Sequence, residues 1–263
     1  MRPDEFEGRM RRLEAYHSVR CPDGAWVVLR LDGRGFTRFT EGRCEKPFDE
    51  RFHHWMVAVA RAVLEEFGGV CAYTESDEVS VLLPRDWALF DRELEKAVSV
   101  SAGLASATFS LACGAVGHFD SRAIVAPTDE QVVDYFRWRQ SDASRCALNG
   151  WCYWVLRKEG LDARAATKQL SGLSVADKNE LLFRRGINFN ELPLWQRRGT
   201  MMSWETYPHT GRNPVTEEDV ATTRRRVRVD RELPMGDDYA AMIETLLAAR
   251  SAGDREAGAA DEQ

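Results

Sequence analysis

The 263-residue chain has only six cysteines, and no two of them stand as C-x-x-C. That excludes a zinc ribbon and a thioredoxin-type redox site. No G-x-x-x-x-G-K-[ST] run occurs, so this is not a P-loop enzyme. The single Gly33-Arg34-Gly35 lacks the third glycine of a dinucleotide fingerprint. The five histidines (His17, His53, His54, His118 and His209) are scattered and form no catalytic cluster. No Ser/His/Asp or Cys/His nucleophile pair stands out. The opening MRPDEFEGRMRRLEAY has no apolar signal region, and no run of about 18 apolar residues is evident. The default expectations are a cytoplasmic location and no membrane partner.

What is present is a globular balance: 44% hydrophobic and 30% charged residues. Lysine plus arginine is 36 against 42 acids, a formal charge of −6, which argues against a surface coated for nonspecific DNA binding. The basic residues gather late, at Arg184, Arg185, Arg197, Arg198 and the run Arg224, Arg225, Arg226, Arg228. Such a run reads equally well as a solvated strand face.

Residues 25–32, AWVVLRLD, read as a buried strand ending on an acid. From Asp49 to Phe67, apolar residues recur at helical spacing. Segments 70–74 and 79–83 form a hairpin with acids at its tip. A small-residue helix over 90–112 and a strand over 121–127 complete the order β-α-β-β-α-β. This predicts an α+β fold, a ferredoxin-like unit of the kind used by polymerase palms. A helical and late-strand C-terminal extension follows. Thr128 with Gln131 is a capping box opening a helix toward Arg157, with a break expected near Ser141–Ser144. Helices are expected near 162–170 and 174–185, the second opening on Ser174 with Asp177 as another capping signature, and strands at 199–205 and 223–229. The expected divisions are a catalytic palm at 1–135, an extension at 136–250 and a disordered tail at 251–263.

In the split arrangement the third strand lies between the first and second. Asp32, at the end of the first strand, and Asp77, at the hairpin tip, then meet at one sheet edge. Glu78, one residue on, points to the opposite face from Asp77. Two carboxylates held close repel each other unless a cation sits between them, and magnesium suits such a pair when phosphates complete its shell. The glycine-bearing turn after Asp32 permits close backbone approach to a phosphate.

These residues resemble the tRNA-His guanylyltransferase family, and within it the bacterial and archaeal guanylyltransferase-like branch. The resemblance rests on R-L-D-G-R-G-F-T-R-F (30–39), K-P-F-D-E-R (46–51), Y-T-E-S-D-E-V-S (73–80), F-D-S-R (119–122) and W-R-Q-S-D (138–142). L-S-G-L-S-V-A-D-K-N-E-L-L-F (170–183) and L-P-x-W-Q-R-R-G-T (192–200) extend it, in order. It implies 3′–5′ nucleotide addition to the tRNA 5′ end, activated by ATP and using GTP or another templated triphosphate. It also implies two Mg2+ ions per active site and a homo-tetramer built as a dimer of dimers. Carried over by motif, Asp32, Asp77 and Glu78 are catalytic. Asp32, Asp77 and the Gly33 carbonyl hold metal. The backbone from Gly33 through Arg34, Gly35 and Phe36 to Thr37, together with Ser76, holds nucleotide. Lys46 and Asp49 serve the activating nucleotide, with a solvated lysine and a helix cap as their structural alternatives. Arg139, Lys178, Asn179, Arg197 and Arg198 serve triphosphate or RNA, and Arg224–Arg228 adds phosphate contacts. The eukaryotic branch follows W-R-Q-A-D with C-H-I-N-N-L-Y-N. Here the stretch is Ala143 to Gly150, without the histidine or the asparagine pair. That favours a branch that repairs 5′-truncated tRNAs over one dedicated to tRNA-His. The rival readings are a palm-type nucleotidyl cyclase and a catalytically silent RNA-binding module.

Overall fold

The structure, a computed structural model, describes residues 3–212 and 218–260. Among the described residues the strands are β1 (Trp26–Gly33), β2 (Cys71–Glu75), β3 (Glu78–Leu83), β4 (Phe119–Ala126), β5 (Thr200–Arg212) and β6 (Asp219–Asp230). The helices are α1 (Pro3–Arg11), α2 (Phe36–Thr40), α3 (Glu50–Glu66), α4 (Leu94–Cys113), α5 (Asp129–Lys158), α6 (Ala163–Leu170), α7 (Val175–Phe183), α8 (Leu194–Arg198) and α9 (Asp237–Ala260).

All six strands join in one sheet of order β4-β1-β3-β2-β5-β6, and each neighbouring pair is antiparallel. β3 sits between β1 and β2, as the split β-α-β-β-α-β order predicts. The pleat sends alternate residues to opposite faces. Val27, Leu29 and Leu31 of β1 and Val79 and Val81 of β3 pack with Val59 and Val63 of α3 and Phe109 of α4. Trp26 and Val28 face the other way, toward Val132 and Phe136 of α5 and Ile243 and Leu247 of α9. Burying a side chain of this size is worth about 1.5–3 kcal/mol, so these two layers hold the sheet edge in place. A third cluster joins Leu148, Cys152 and Leu156 of α5 to Ala166 of α6 and Leu182 of α7.

Both capping boxes read from the sequence form, at Thr128/Gln131 and at Ser174/Asp177. The break expected near Ser141–Ser144 does not occur: α5 runs unbroken for 30 residues. Nothing in 141–144 removes a backbone donor, and the Ser144 hydroxyl donates across to the Arg197 carbonyl at 2.6 Å. α5 therefore carries the chain over the boundary expected at 135/136. α4 is long and apolar enough by composition to cross a bilayer, contrary to the sequence reading, yet it buries Ala97, Ala105 and Phe109 against the sheet. The sequence reading did not foresee α9. The expected disorder of 251–263 falls on residues of which only the helical backbone to Ala260 is described.

Candidate active site

The register puts Asp32 directly opposite Glu78, and the Gly33 N–H donates to the Asp77 carbonyl at 3.0 Å. The end of β1 is thus pinned to the β2–β3 turn, and Asp32 and Asp77 share one edge of the sheet. Asp32 and Glu78 lie on the α5 face, while Asp77 is on the turn and opens into a cleft. Ser76 adopts φ 48, a left-handed conformation that a tight turn tolerates, and its hydroxyl donates to Asp77 Oδ1 at 3.1 Å. Burial, followed by the charge of Asp32, pushes the Asp77 carboxyl up to about 6. Burial first and the neighbouring acid second disfavour the charged carboxylate, so a cation between the two acids would be stabilised.

The turn after β1 is built on a close approach. A Cβ at Gly33 would sit 2.6 Å from the Phe36 ring. Phe36 packs 4.8 Å from Phe109 and 5.0 Å from Phe119, centroid to centroid, and so anchors α2. Gly35 opens that helix at φ 74. The Gly33 and Arg34 N–H groups are already committed, the second to the His118 carbonyl at 2.8 Å. The expected five-residue phosphate cradle therefore narrows to the Gly35–Thr37 N–H groups, which belong to the first turn of α2, where helical N–H groups lack internal partners.

Arg139 of α5 is buried, and its Nε and Nη2 donate to the two Glu78 oxygens at 2.6 and 2.9 Å. Its Nη2 also reaches Asp142 at 3.2 Å and Glu75 at 3.8 Å. Glu75 and Glu78 stand on either side of the Ser76–Asp77 turn, so one guanidinium ties both stems of the hairpin to α5. Arg139, expected to serve triphosphate or RNA, thus commits its Nε and Nη2 donors to acids in this structure. Glu78, expected to be catalytic, has both oxygens engaged and acts in the wall behind the corner. Burial, with Glu78 adding repulsion, pushes Glu75 up to about 8 despite Arg139.

The cleft beside Asp77 encloses about 610 Å³, a size suited to a small-molecule ligand. Lys46 lines it, donating to Thr40 Oγ1 at 2.5 Å with its Nζ 5.5 Å from the Trp154 ring. Burial lowers the Lys46 pKa, against the pull of nearby acids that include Asp77. Asp49 lines the cleft as well. It caps α3, accepting from the Arg51 and Phe52 N–H groups at 2.8 and 3.2 Å. It also accepts from the Glu45 N–H at 2.8 Å and from the Arg51 guanidinium. Burial alone would raise its pKa, but these donors hold it well below the usual carboxylate range. The sequence reading missed the aromatic lining. Trp154, Tyr153 and Trp195 face the cleft, and buried His53 stacks on Trp195 at 4.3 Å. Only the docking of α8 on α5 reveals this, since Trp154 and Trp195 are far apart in the chain.

The looser triphosphate or RNA candidates lie off the cleft lining. Arg197 Nε donates to the Leu192 carbonyl at 3.0 Å, and Arg198 Nη1 donates to the Leu233 carbonyl at 2.7 Å. Both brace the backbone around α8. Lys178 and Asn179 lie on α7, outside the cleft lining, and Asn179 donates back to the Val175 carbonyl at 2.8 Å.

The tRNAHis guanylyltransferase family model matches residues 7–127, and the model for the Thg1 C terminal domain matches residues 130–238. A probable tRNA(His) guanylyltransferase of Drosophila melanogaster is 36% identical over 189 residues, covering 67% of this chain and 66% of the fly protein. tRNA(His) guanylyltransferase 2 of Arabidopsis thaliana is 34% identical over 83% of this chain, which spans 42% of that longer protein. The tRNA(His) guanylyltransferase of Neurospora crassa is 35% identical, covering 74% of this chain and 72% of its own length. Among solved structures, a bacterial tRNA(His) guanylyltransferase (Thg1)-like protein in complex with ATP superposes with TM-score 0.76 and 29% identity, over 92% of this chain and 98% of that one. A complex with GTP gives TM-score 0.69 and 28% identity, over 92% of this chain and 99% of that one.

Proposed function

The chain belongs to the tRNAHis guanylyltransferase family, and on that premise we propose that it adds nucleotides to tRNA 5′ ends in the 3′–5′ direction at the Asp32–Asp77 corner. The observation that carries this is the meeting of Asp32 and Asp77 at one sheet edge, with Asp77 opening into a nucleotide-sized cleft that Lys46 also lines. The donor set fits magnesium, which binds through one or two carboxylates, keeps waters and accepts substrate phosphates. Asp32, Asp77 and the Gly33 carbonyl would hold two ions. Magnesium there supplies charge for the leaving phosphates and lowers the pKa of the attacking hydroxyl.

The chain's own residues do the positioning. The first-turn N–H groups of α2 and the Lys46 ammonium meet triphosphate oxygens, and Trp154 offers a face to a base. In the first step an oxygen of the RNA 5′ monophosphate attacks the α-phosphorus of ATP. Pyrophosphate leaves, and the RNA carries a 5′-adenylyl group. In the second, the 3′ hydroxyl of GTP or another templated triphosphate attacks the RNA 5′ phosphorus and AMP leaves. Each step is phosphoryl transfer, in which orientation and charge stabilisation supply most of the catalysis.

A repair role for 5′-truncated tRNAs has a structural argument. In the eukaryotic pattern asparagines stand where this chain has Cys146, Ala147 and Gly150, and all three of these line the cleft. The amides of that wall are missing here, which favours a site not dedicated to one tRNA identity. Cytoplasmic action and a dimer of dimers belong to the same proposal. The test is gel analysis of a 5′-monophosphorylated, truncated tRNA with labelled ATP and each triphosphate. RNA-dependent growth by single nucleotides is expected. A cyclic nucleotide formed without RNA would instead establish a palm cyclase.

A further inference from the structure

α8 is a short helix anchored along its length. Ser144 of α5 donates to the Arg197 carbonyl at 2.6 Å, and the Arg197 and Arg198 side chains are tied to the Leu192 and Leu233 carbonyls. Trp195 is packed by the His53 ring at 4.3 Å, by the edge of Phe48 at 5.7 Å and by the Arg231 guanidinium at 5.2 Å. Gln196 sits between these fixed neighbours and is left over. It lines the cleft, yet its Oε1 is buried without a hydrogen-bond partner.

A buried acceptor without a donor is unfavourable and rare in native proteins, so its presence on a cleft wall asks for a reason. Other hydroxyls of the lining are engaged. Thr74 donates to the Glu78 carbonyl at 2.9 Å, Thr167 donates to the Ala163 carbonyl at 2.8 Å, and the Tyr153 hydroxyl accepts from Arg157 at 2.9 Å. Gln196 is the single side-chain amide among the described residues of the lining. An amide holds an acceptor and donors in one plane, and its terminal torsion is soft, so a turn about that bond presents both to a ligand. The acceptor requires an N–H or O–H from that ligand, which a phosphate oxygen does not offer. Burial, and then the charge of Arg231, lowers the His53 pKa to about 4. This imidazole is therefore neutral at neutral pH, and the wall suits an uncharged base.

We propose that Gln196 determines the specificity for the activating nucleotide: its Oε1 accepts from the 6-amino group of adenine while its Nε2 donates to N7 of the same base. The inference rests on the reading of the cleft as a nucleotide site. A glutamine amide matches this edge of adenine donor to acceptor. A 6-oxo purine turns a second acceptor toward Oε1, and the two oxygens then face each other unpaired. Rejection of such an analogue is strong, because a site that bonds an N–H keeps a buried polar group unsatisfied when the N–H is missing. Gln196 touches the base and not the reacting phosphorus, so it selects the nucleotide without taking part in the transfer.

The test compares ATP with inosine triphosphate, which carries a 6-oxo group in place of the amine, on the full chain and on Gln196→Met, with Gln196→Leu as a second variant. Binding is followed by quenching of tryptophan fluorescence, and transfer by gel analysis of a 5′-monophosphorylated hairpin. Wild type should favour ATP by about tenfold or more in Kd and in kcat/KM. Each variant should lose about tenfold with ATP, chiefly in KM, and stay within about twofold of wild type with inosine triphosphate. The preference then collapses, whereas a merely structural role would weaken both nucleotides alike. Equal losses for the two nucleotides, or a wild type without preference, would overturn the proposal. Selective ATP binding that the variants abolish, in a protein that transfers nothing to RNA, would uphold Gln196 as the adenine reader and defeat the 5′-extension reading alone.

Discussion

At the scale of single residues, Asp77 carries the most consequence. Its carboxyl is raised from 3.8 to about 6, by burial first and then by Asp32. In metal-free protein the folded state therefore holds this proton longer than the unfolded chain does. The associated stability is full below about pH 4 and is lost as the pH rises through about 6. Magnesium should restore it, so the rise in Tm on adding the ion should be larger near pH 7.5 than near pH 5, as scanning calorimetry can show. Asp77→Asn should raise the metal-free stability near pH 7.5 by about 1–3 kcal/mol, remove most of the response to magnesium, and cut extension by about a hundredfold or more. A variant less stable than wild type under those conditions would contradict the crowding of the two acids. Gly33 makes a second residue-scale prediction. Gly33→Ala places a methyl 2.6 Å from the Phe36 ring, so about 1–3 kcal/mol should be lost in denaturant titration, along with nucleotide binding. An alanine variant that binds nucleotide normally would show that the close approach is dispensable.

At the scale of elements, the hairpin tip is held from behind. Arg139 ties Glu75 and Glu78, and with them the Ser76–Asp77 turn, to α5. Arg139→Gln leaves buried acids without a countercharge and should cost about 3–5 kcal/mol, with weakened magnesium affinity. The double variant Arg139→Gln/Glu78→Gln should recover part of the stability in thermal unfolding. Failure to recover any would mean that the arginine acts through other partners. The same elements show what the sequence reveals. Asp32 and Asp77 were legible because strand alternation and the split order fix where a strand end and a hairpin tip meet. Helix caps at Thr128 and Ser174 were legible for the same local reason. The partners of Arg139, Arg197 and Arg198 were not legible, since a motif gives a residue type and its neighbours in the chain. It does not show that acids from another element, or a bare carbonyl, wait across the packing interface. Asp49 caps α3 and lines the cleft at once, so both of its readings from the sequence stand.

At the scale of the whole molecule, the sheet is a frame held between two helical layers. One end gathers the acids, the glycine turn and the cleft. The layers that hold this frame, α3 and α4 on one face and α5 and α9 on the other, were half legible. α3 to α5 announced themselves by spacing and caps. α9 did not, because its apolar residues are diluted by alanine and its start carries no capping signature read from the chain. The aromatic wall of the cleft was hidden too, as it arises only when α8 lands on α5. The claim on which the account turns is that Asp32 and Asp77 jointly hold divalent ions against a triphosphate. Electron paramagnetic resonance of Mn2+ titrated into the protein with a non-hydrolysable ATP analogue measures this directly. Two bound ions per chain are expected for wild type, with clear loss in Asp32→Asn and in Asp77→Asn. Undiminished Mn2+ binding in both variants would contradict it.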